Sequence, residues 1–216
     1  MLKNSLRKRL TLTELLTSDE VLEGAATRDV LLSHGIRLFH RFGVEGTSIG
    51  RLLQVSGKSK SQFYSHFSSR EDFVCQILER QMETMIRILS RHPLDSLADF
   101  PQWFQPYQEL ADLPGHLGCP TGPLASDLSP SSEIIQAEAS RQFKLWEEHV
   151  TRCFERLGER LHFSESFSAR DTAQQFCCSV QGGFLLGRVH QTGDYIRLVG
   201  QQFERLLSTC IVSPAS

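Results

Sequence analysis

The chain has 216 residues, a formal net charge of -2 and 40% hydrophobic residues, which suits one or two domains with a substantial core. No apolar run approaches the roughly 18 residues of a membrane span, and the N-terminal region is too charged for a signal peptide. The six cysteines include no Cys-x-x-Cys pair, so we expect reduced thiols in a cytoplasmic protein without metal or cofactor.

Residues 1–26 form an extension ahead of the first predicted helix, with a basic cluster between residues 3 and 9. Two alternatives stay open for it, a loosely packed tail or a basic arm that reaches DNA. Residues 1–70 contain 11 Lys and Arg against 6 Asp and Glu, a balance of +5, so the rest of the chain carries -7. A basic head on an acidic body places the attraction for phosphate in the N-terminal part.

Three helices are predicted in a DNA-binding domain that spans residues 27–72. Apolar residues at helical spacing predict the first helix from Thr27 to Phe42, and Gly43 ends it. Thr47 and Ser48 can cap the second helix, because their side-chain oxygens can accept its first amide hydrogens.

A turn at Ser56-Gly57-Lys58 leads to a short polar helix from about Ser59 to Phe67. Two helices joined by a tight glycine turn, the second polar and basic, are typical of a helix-turn-helix. We expect contacts to phosphates from Ser48, Lys60, Tyr64 and His66. Base edges should be faced by Ser59, Ser61 and Gln62, with Gln62 as the bidentate reader and adenine as its usual partner. The predicted DNA-contacting residues are Thr47, Ser48, Lys58, Ser59, Lys60, Ser61, Gln62, Tyr64, His66 and Arg70.

Residues 28–73 carry a recurrent pattern at fixed spacing: Leu38-Phe39, Gly43, Thr47-Ser48-Ile49, Leu52, Gly57, Ser59-Lys60, Phe63-Tyr64, His66-Phe67 and Arg70-Glu71. This pattern resembles the N-terminal domain of the TetR family of bacterial transcriptional regulators. It departs from the family at Lys58, where a small apolar residue is usual, and at Gly35, Leu53 and Ser56, which are commonly alanines. The resemblance implies an all-α protein with a helical ligand-binding and dimerisation domain after the helix-turn-helix.

The body, residues 73–216, reads as helices throughout. A long helix should start at Arg70 and end near His92-Pro93, and the proline-rich stretch 94–123 should be a broken helix with a loop. Further helices are predicted at about 132–157, 169–191 and 194–209, without strands or internal repeats.

The last two helices each carry an apolar stripe, and the first of the two also has glycines beside its stripe. The stripes can face the chain's own core or a second subunit. The TetR resemblance implies that these helices pair into a four-helix dimer interface, which suits a palindromic operator. The predicted interface residues are Val180, Gly183, Phe184, Gly187, Ile196, Val199 and Phe203.

Aromatic and polar residues in the middle of the body are candidates for lining an effector cavity, although such residues are also ordinary core. They are Trp103, Phe104, Tyr107, His116, Cys119, Phe143, Trp146, His149 and Phe176. Cys119 lies in a Gly-Cys segment that resembles one subgroup of TetR-type regulators, some of which respond to electrophiles or oxidants through cysteine. A thiol near a helix N-terminus is more reactive, whereas most buried cysteines are inert.

No acid–base pair, activated nucleophile or phosphate loop is evident, so no enzymatic activity is predicted. The favoured interpretation is a homodimeric repressor that a small apolar ligand or a cysteine modification releases from double-stranded DNA. Two alternatives remain: an effector-independent DNA-binding activator or organiser, and a helical redox protein.

Overall fold

The computed structural model describes residues 25–43, 46–114, 118–122 and 132–212, and these form an all-α structure. Within these residues the strand-like pairing is one isolated bridge between Phe163 and Ile211. The elements in chain order are α1 (Thr27–Phe42), α2 (Ile49–Ser56), α3 (Lys60–Tyr64), α4 (Arg70–Leu89), a 3-10 turn (Leu97–Asp99), α5 (Phe100–Ala111), α6 (Glu133–Leu161), α7 (Ala169–His190) and α8 (Asp194–Thr209).

The predicted ends of α1 and the start of α2 are confirmed, whereas α3 ends at Tyr64, three residues before the predicted Phe67. Gly43 follows α1 with φ 69°, and its N–H bonds Phe39 O at 2.8 Å. Ser48 caps α2 by accepting a hydrogen bond from Arg51 N at 3.1 Å. Gly57 adopts φ 63° in the turn, a left-handed conformation that costs glycine little. Local sequence chemistry therefore sets the helix-turn-helix geometry.

The chain divides into two compact units, Met1–Met85 with Pro120–Gln142, and Ile86–Cys119 with Phe143–Ser216. The sequence had placed its boundary near residue 72. The first unit extends further because Phe73 and Ile77 of α4 are buried in its core. Gly35 of α1 lies against both, since a Cβ at that position would sit 2.5 Å from Phe73 Cζ and 2.7 Å from Ile77 Cδ1.

The second unit has an aromatic core that centres on Phe176 of α7. The Phe176 ring lies 5.4 Å from Trp103, 5.5 Å from Tyr107 and 5.1 Å from Phe203, measured between ring centroids. All four side chains are almost fully buried. Trp146 Nε1 donates to Tyr107 Oη at 2.9 Å, so the indole N–H of this buried residue is satisfied.

The expectation of a broken helix between residues 94 and 123 was wrong for α5, which is continuous through two prolines. Pro101 occupies the first turn, where no intrahelical donor is needed. Pro106 lies inside the helix and its side chain is buried, so packing in the core offsets the lost backbone hydrogen bond.

Candidate nucleic-acid interface

The short helix α3 presents polar side chains outward while aromatic residues hold it to the rest of its unit. Phe63 and Phe67 are at most 1% exposed. Their ring centroids are 5.0 Å apart, and Phe73 lies 5.2 Å from Phe63 and 4.8 Å from Phe67. A five-residue helix has little stability of its own, so this aromatic contact fixes its position.

Ser59 and Gln62 form a capping box at the start of α3. Gln62 N donates to Ser59 Oγ at 3.2 Å, and Ser59 N donates to Gln62 Oε1 at 2.8 Å. Two amide groups that the helix start would leave unpaired are thereby satisfied. The sequence had assigned these two residues to base contacts and did not anticipate their capping role.

Most of the predicted DNA contacts lie on one exposed stretch of chain, residues 58–66. Lys60, Ser61 and Tyr64 are exposed, and Lys60 Nζ lies 5.9 Å from the centroid of the Tyr64 ring. His66 is also exposed, while Lys58 is half-buried. The Lys60 ammonium group and the hydroxyls of Ser61 and Tyr64 are hydrogen-bond donors that suit phosphate oxygens.

Ser48, Thr47 and Arg70 flank this stretch. Ser48 is exposed, and Arg70 is half-buried at the start of α4. Thr47 is 3% exposed and its hydroxyl donates to Gly43 O at 2.9 Å. Ser48 alone therefore caps α2, and burial leaves the Thr47 hydroxyl poorly placed for the phosphate contact predicted from sequence.

Arg51 is an exposed cation that the sequence prediction missed. Its guanidinium lies 3.7 Å from the centroid of the Phe42 ring, and Phe42 is 38% exposed. Stacking on an aromatic face holds an arginine in one orientation. The available sequence signal was an arginine in the first turn of α2, one helix before the recognition element.

Two polar links join α1 to α4 within the first unit. Arg28 donates through Nε and Nη2 to Gln76 Oε1 at 3.0 and 2.6 Å, and Gln76 Nε2 donates to Asp72 Oδ1 at 2.7 Å. Arg80 pairs with Asp29 at 2.8 Å. Desolvation opposes ionisation of Asp72, but the hydrogen bonds from Gln76 and Ser68 prevail and lower its pKa. A charged Asp72 therefore supports the start of α4.

Only some of the residues predicted to line an effector cavity lie close together. Those that do are packed in the core of the second unit. Trp103, Tyr107, Trp146 and Phe176 belong to the aromatic core of the second unit. The half-buried Phe143 ring lies 6.1 Å from that of Trp146. His116 lies outside the described residues.

His149 and Cys153 lie one turn apart on α6, with His149 Nε2 3.9 Å from Cys153 Sγ. Desolvation, with the charges of Arg152 and Arg156, lowers the pKa of His149. Desolvation also raises the pKa of the Cys153 thiol, which keeps it protonated at neutral pH.

Cys119 is 8% exposed, and its sulfur accepts a hydrogen bond from Gln181 Nε2 at 3.4 Å. Gly118 precedes it with φ 79° and lies beside Phe184 and Arg188 of α7. The segment that carries Cys119 is thus held against α7.

A groove of about 130 Å³ opens between α5 and α8, away from the predicted cavity residues except Phe104. Its lining is mixed, with aromatic rings at the base and charged or amide side chains at the rim. The lining residues are Phe100, Pro101, Phe104, Gln108, Arg197, Gly200, Gln201 and Glu204.

The residues predicted for a dimer interface lie inside the second unit instead. Phe184 is 3% exposed, and Ile196 and Phe203 are each 1% exposed. Val180, Gly183, Gly187 and Val199 are buried as well. These stripes are therefore the subunit's own core, the alternative that the sequence left open. The outward faces of α7 and α8 expose other apolar side chains: Leu185, Leu186, Val189 and Leu198.

No helix among the described residues is long and apolar enough to cross a membrane. The same residues contain no group of three or more His, Cys, Asp and Glu side chains arranged to hold a metal ion.

Residues 97–202 match a family model described as the C-terminal domain of LmrA/YxaF-like transcriptional regulators. The chain is 27% identical over 128 residues to the transcriptional repressor DhaR of Mycobacterium sp. strain GP1, a match that covers 58% of this chain and 64% of DhaR. It is 25% identical over 167 residues to the transcriptional regulator LmrA of Bacillus subtilis, covering 74% of this chain and 85% of LmrA.

Solved structures share the fold. A TetR-family regulator from Agrobacterium tumefaciens superposes with a TM-score of 0.72 at 22% identity, covering 86% of this chain and 98% of that one. The reduced form of E. coli NemR superposes with a TM-score of 0.75 at 20% identity, covering 88% and 99%. With its own helix-turn-helix, its all-α body and relatives that are regulators rather than enzymes, this chain belongs to the TetR family of transcriptional regulators.

Proposed function

We propose that this protein is a homodimeric repressor that binds a palindromic operator through α2 and α3 and leaves it in response to an effector. The observation that carries the proposal is the exposed polar surface of α3, which is anchored by the buried rings of Phe63 and Phe67. Similarity to DhaR, a transcriptional repressor, supports repression over activation.

The dimer is proposed to form through the outward faces of α7 and α8. Leu185 and Val189 are 64% and 66% exposed and lie one turn apart on α7, while Leu198 is 59% exposed on α8. Apolar side chains exposed on two neighbouring helices favour a partner surface that removes them from water. A two-fold dimer would present two copies of α3 to two half-sites about one turn of DNA apart.

Two routes for release remain within the proposal. A small apolar ligand can act by entering the body, either at the α5–α8 groove or by opening the aromatic core. Alternatively, an electrophile or oxidant modifies Cys119. That route requires the segment to leave α7 first, because the thiol is buried and bonded to Gln181. The helix α4 contributes residues to both compact units and is the proposed path by which either event reaches the DNA-binding helices.

The experiment that separates these routes measures DNA affinity with and without an alkylating agent, using DNA selected from a random pool. If Cys119 is the trigger, the reagent should release DNA from the wild type and leave Cys119→Ser bound. Cys210→Ser is the matched control, because Cys210 is a partly accessible thiol just after the end of α8 and should be alkylated without consequence. If Cys119→Ser still responds to a metabolite and tryptophan fluorescence changes, a reversible ligand is the effector. Affinity that survives electrophiles, oxidants and a broad metabolite screen would contradict both routes.

A further inference from the structure

The capping box at the start of α3 fixes the orientation of the Gln62 carboxamide. Ser59 N is a donor, so the Gln62 atom that it meets at 2.8 Å must be the oxygen. The assignment of oxygen and nitrogen, which is often ambiguous for glutamine, is therefore settled by chemistry here. Gln62 N in turn donates to Ser59 Oγ, so the two residues are joined by two reciprocal hydrogen bonds.

This orientation limits what Gln62 can offer to a base. Adenine is read by a glutamine that presents its oxygen to N6–H and its amino group to N7 at the same time. In this protein the oxygen is engaged with the backbone at the helix start. The side chain is exposed, and no hydrogen bond within the described residues occupies its amino group. The part of Gln62 left for DNA is a pair of N–H donors.

We propose that Gln62 reads guanine in the major groove through its amino group while its oxygen remains in the capping box. Guanine presents two neighbouring acceptors, O6 and N7, which match two N–H donors. Adenine presents N7 beside an amino group, and that second donor opposes the Gln62 donors. The inference rests on the proposed function, and it replaces the adenine preference expected from sequence with a guanine preference.

The same residue thus has two tasks that can be separated by substitution. Gln62→Glu keeps an oxygen that accepts from Ser59 N, since glutamate at this position is the usual partner in a capping box. It removes both N–H donors and introduces acceptors that favour the amino group of cytosine. Gln62→Ala removes the cap and the base contact together.

The test begins with selection of binding sites from random double-stranded DNA by the wild-type protein. The wild type should enrich one guanine in each half-site, and changing that base pair to A·T should weaken binding about 5- to 100-fold. Replacing the guanine with 7-deazaguanine, which lacks the N7 acceptor, should weaken wild-type binding by about 5-fold or more. The same replacement should not change binding by Gln62→Ala.

Gln62→Glu should melt at the wild-type temperature and should lose the guanine preference, with cytosine enriched at that position. Adenine at the wild-type position, or an unchanged guanine preference in Gln62→Glu, would overturn the inference while leaving sequence-selective DNA binding in place. If the wild type enriches no sequence at all, both this inference and the proposed function fail. The loss of wild-type binding on 7-deazaguanine DNA does not depend on how the variants fold.

Discussion

Gly35 shows how a single missing side chain shapes the DNA-binding unit. Gly35→Ala would place a Cβ 2.5 Å from Phe73 Cζ, in a cluster where Phe39, Phe63 and Phe67 already surround that ring. Such overpacking costs about 1–3 kcal/mol, which exceeds the gain in helix propensity of about 1 kcal/mol. We expect a lower free energy of unfolding in urea titration.

Gly50→Ala is the matched control for Gly35→Ala. Gly50 is exposed on α2, and an added Cβ would meet only Ser48 Oγ at 3.7 Å. This substitution should be neutral or slightly stabilising. Equal destabilisation by both changes would show that helix packing at Gly35 is not the cause.

Lys60 is the exposed cation of the recognition helix. Lys60→Ala should weaken binding to every DNA sequence and reduce the slope of log affinity against log salt by about 1, because one phosphate contact is lost. Fluorescence anisotropy at several salt concentrations measures both effects. Lys144→Ala removes the same charge from an exposed position of α6 and should leave the slope unchanged. A wild-type slope in Lys60→Ala would contradict the proposed docking surface.

His149 links the stability of the body to pH. Burial and the neighbouring charges of Arg152 and Arg156 lower its pKa in the folded state below 6.5. When the pH falls through about 6.5, His149 becomes protonated in the unfolded chain while it stays neutral in the folded chain. The free energy of unfolding should therefore drop between that pH and the lower folded-state pKa. His149→Gln should flatten this part of the curve, and an unchanged pH profile in that variant would exclude the histidine as its source.

At the scale of elements, α7 separates core from surface on opposite faces of one helix. Val189→Glu changes an exposed side chain and should give a stably folded monomer, because a charge is placed in the proposed dimer contact. Phe184→Glu changes a buried one and should unfold the body instead. Sedimentation velocity and thermal melting distinguish the two results. A Val189→Glu protein that remains dimeric would place the interface elsewhere.

The sequence predicted the lengths of α7 and α8 well, because their ends carry local signals. Ser168 caps α7 by accepting a hydrogen bond from Asp171 N at 3.2 Å, and the helix ends at His190 as the apolar pattern indicated. The apolar pattern of α7 did not show which face of the helix is buried. Leu185 and Val189 on one face are as apolar as Val180 and Phe184 on the other, and only the packing of the whole unit decides between them.

The sequence likewise predicted the elements of the helix-turn-helix but not every role of their side chains. Glycine chemistry and the Ser48 hydroxyl placed the turn and α2, whereas α3 ends at Tyr64 and not at the predicted Phe67. The capping role of Gln62 was not foreseen, because a glutamine three residues after a serine also suits an exposed base-reading helix. The helix break predicted at Pro106 was wrong for a comparable reason. A proline predicts a helix break unless burial of its ring offsets the lost hydrogen bond, and burial is not visible in one sequence.

At the scale of the whole molecule, charge divides along the sequence and not between the two compact units. Residues 1–70 carry a balance of +5 and the remainder -7, which directs DNA toward the recognition helix and away from the body. In the proposed function, the body supplies exposed apolar side chains of α7 and α8 for a second subunit and the buried Cys119 for a signal. This division is the basis of the proposed dimeric, releasable repressor.

The most direct test of this account is the sequence that the wild-type protein selects from a random pool of double-stranded DNA. Two recognition helices related by a two-fold axis predict an inverted repeat whose half-sites lie about one helical turn apart. Enrichment of such a repeat, lost in Val189→Glu, is the expected result. A pool that remains random, or a single half-site bound as tightly as the pair, would contradict the claim of a homodimeric operator-binding regulator.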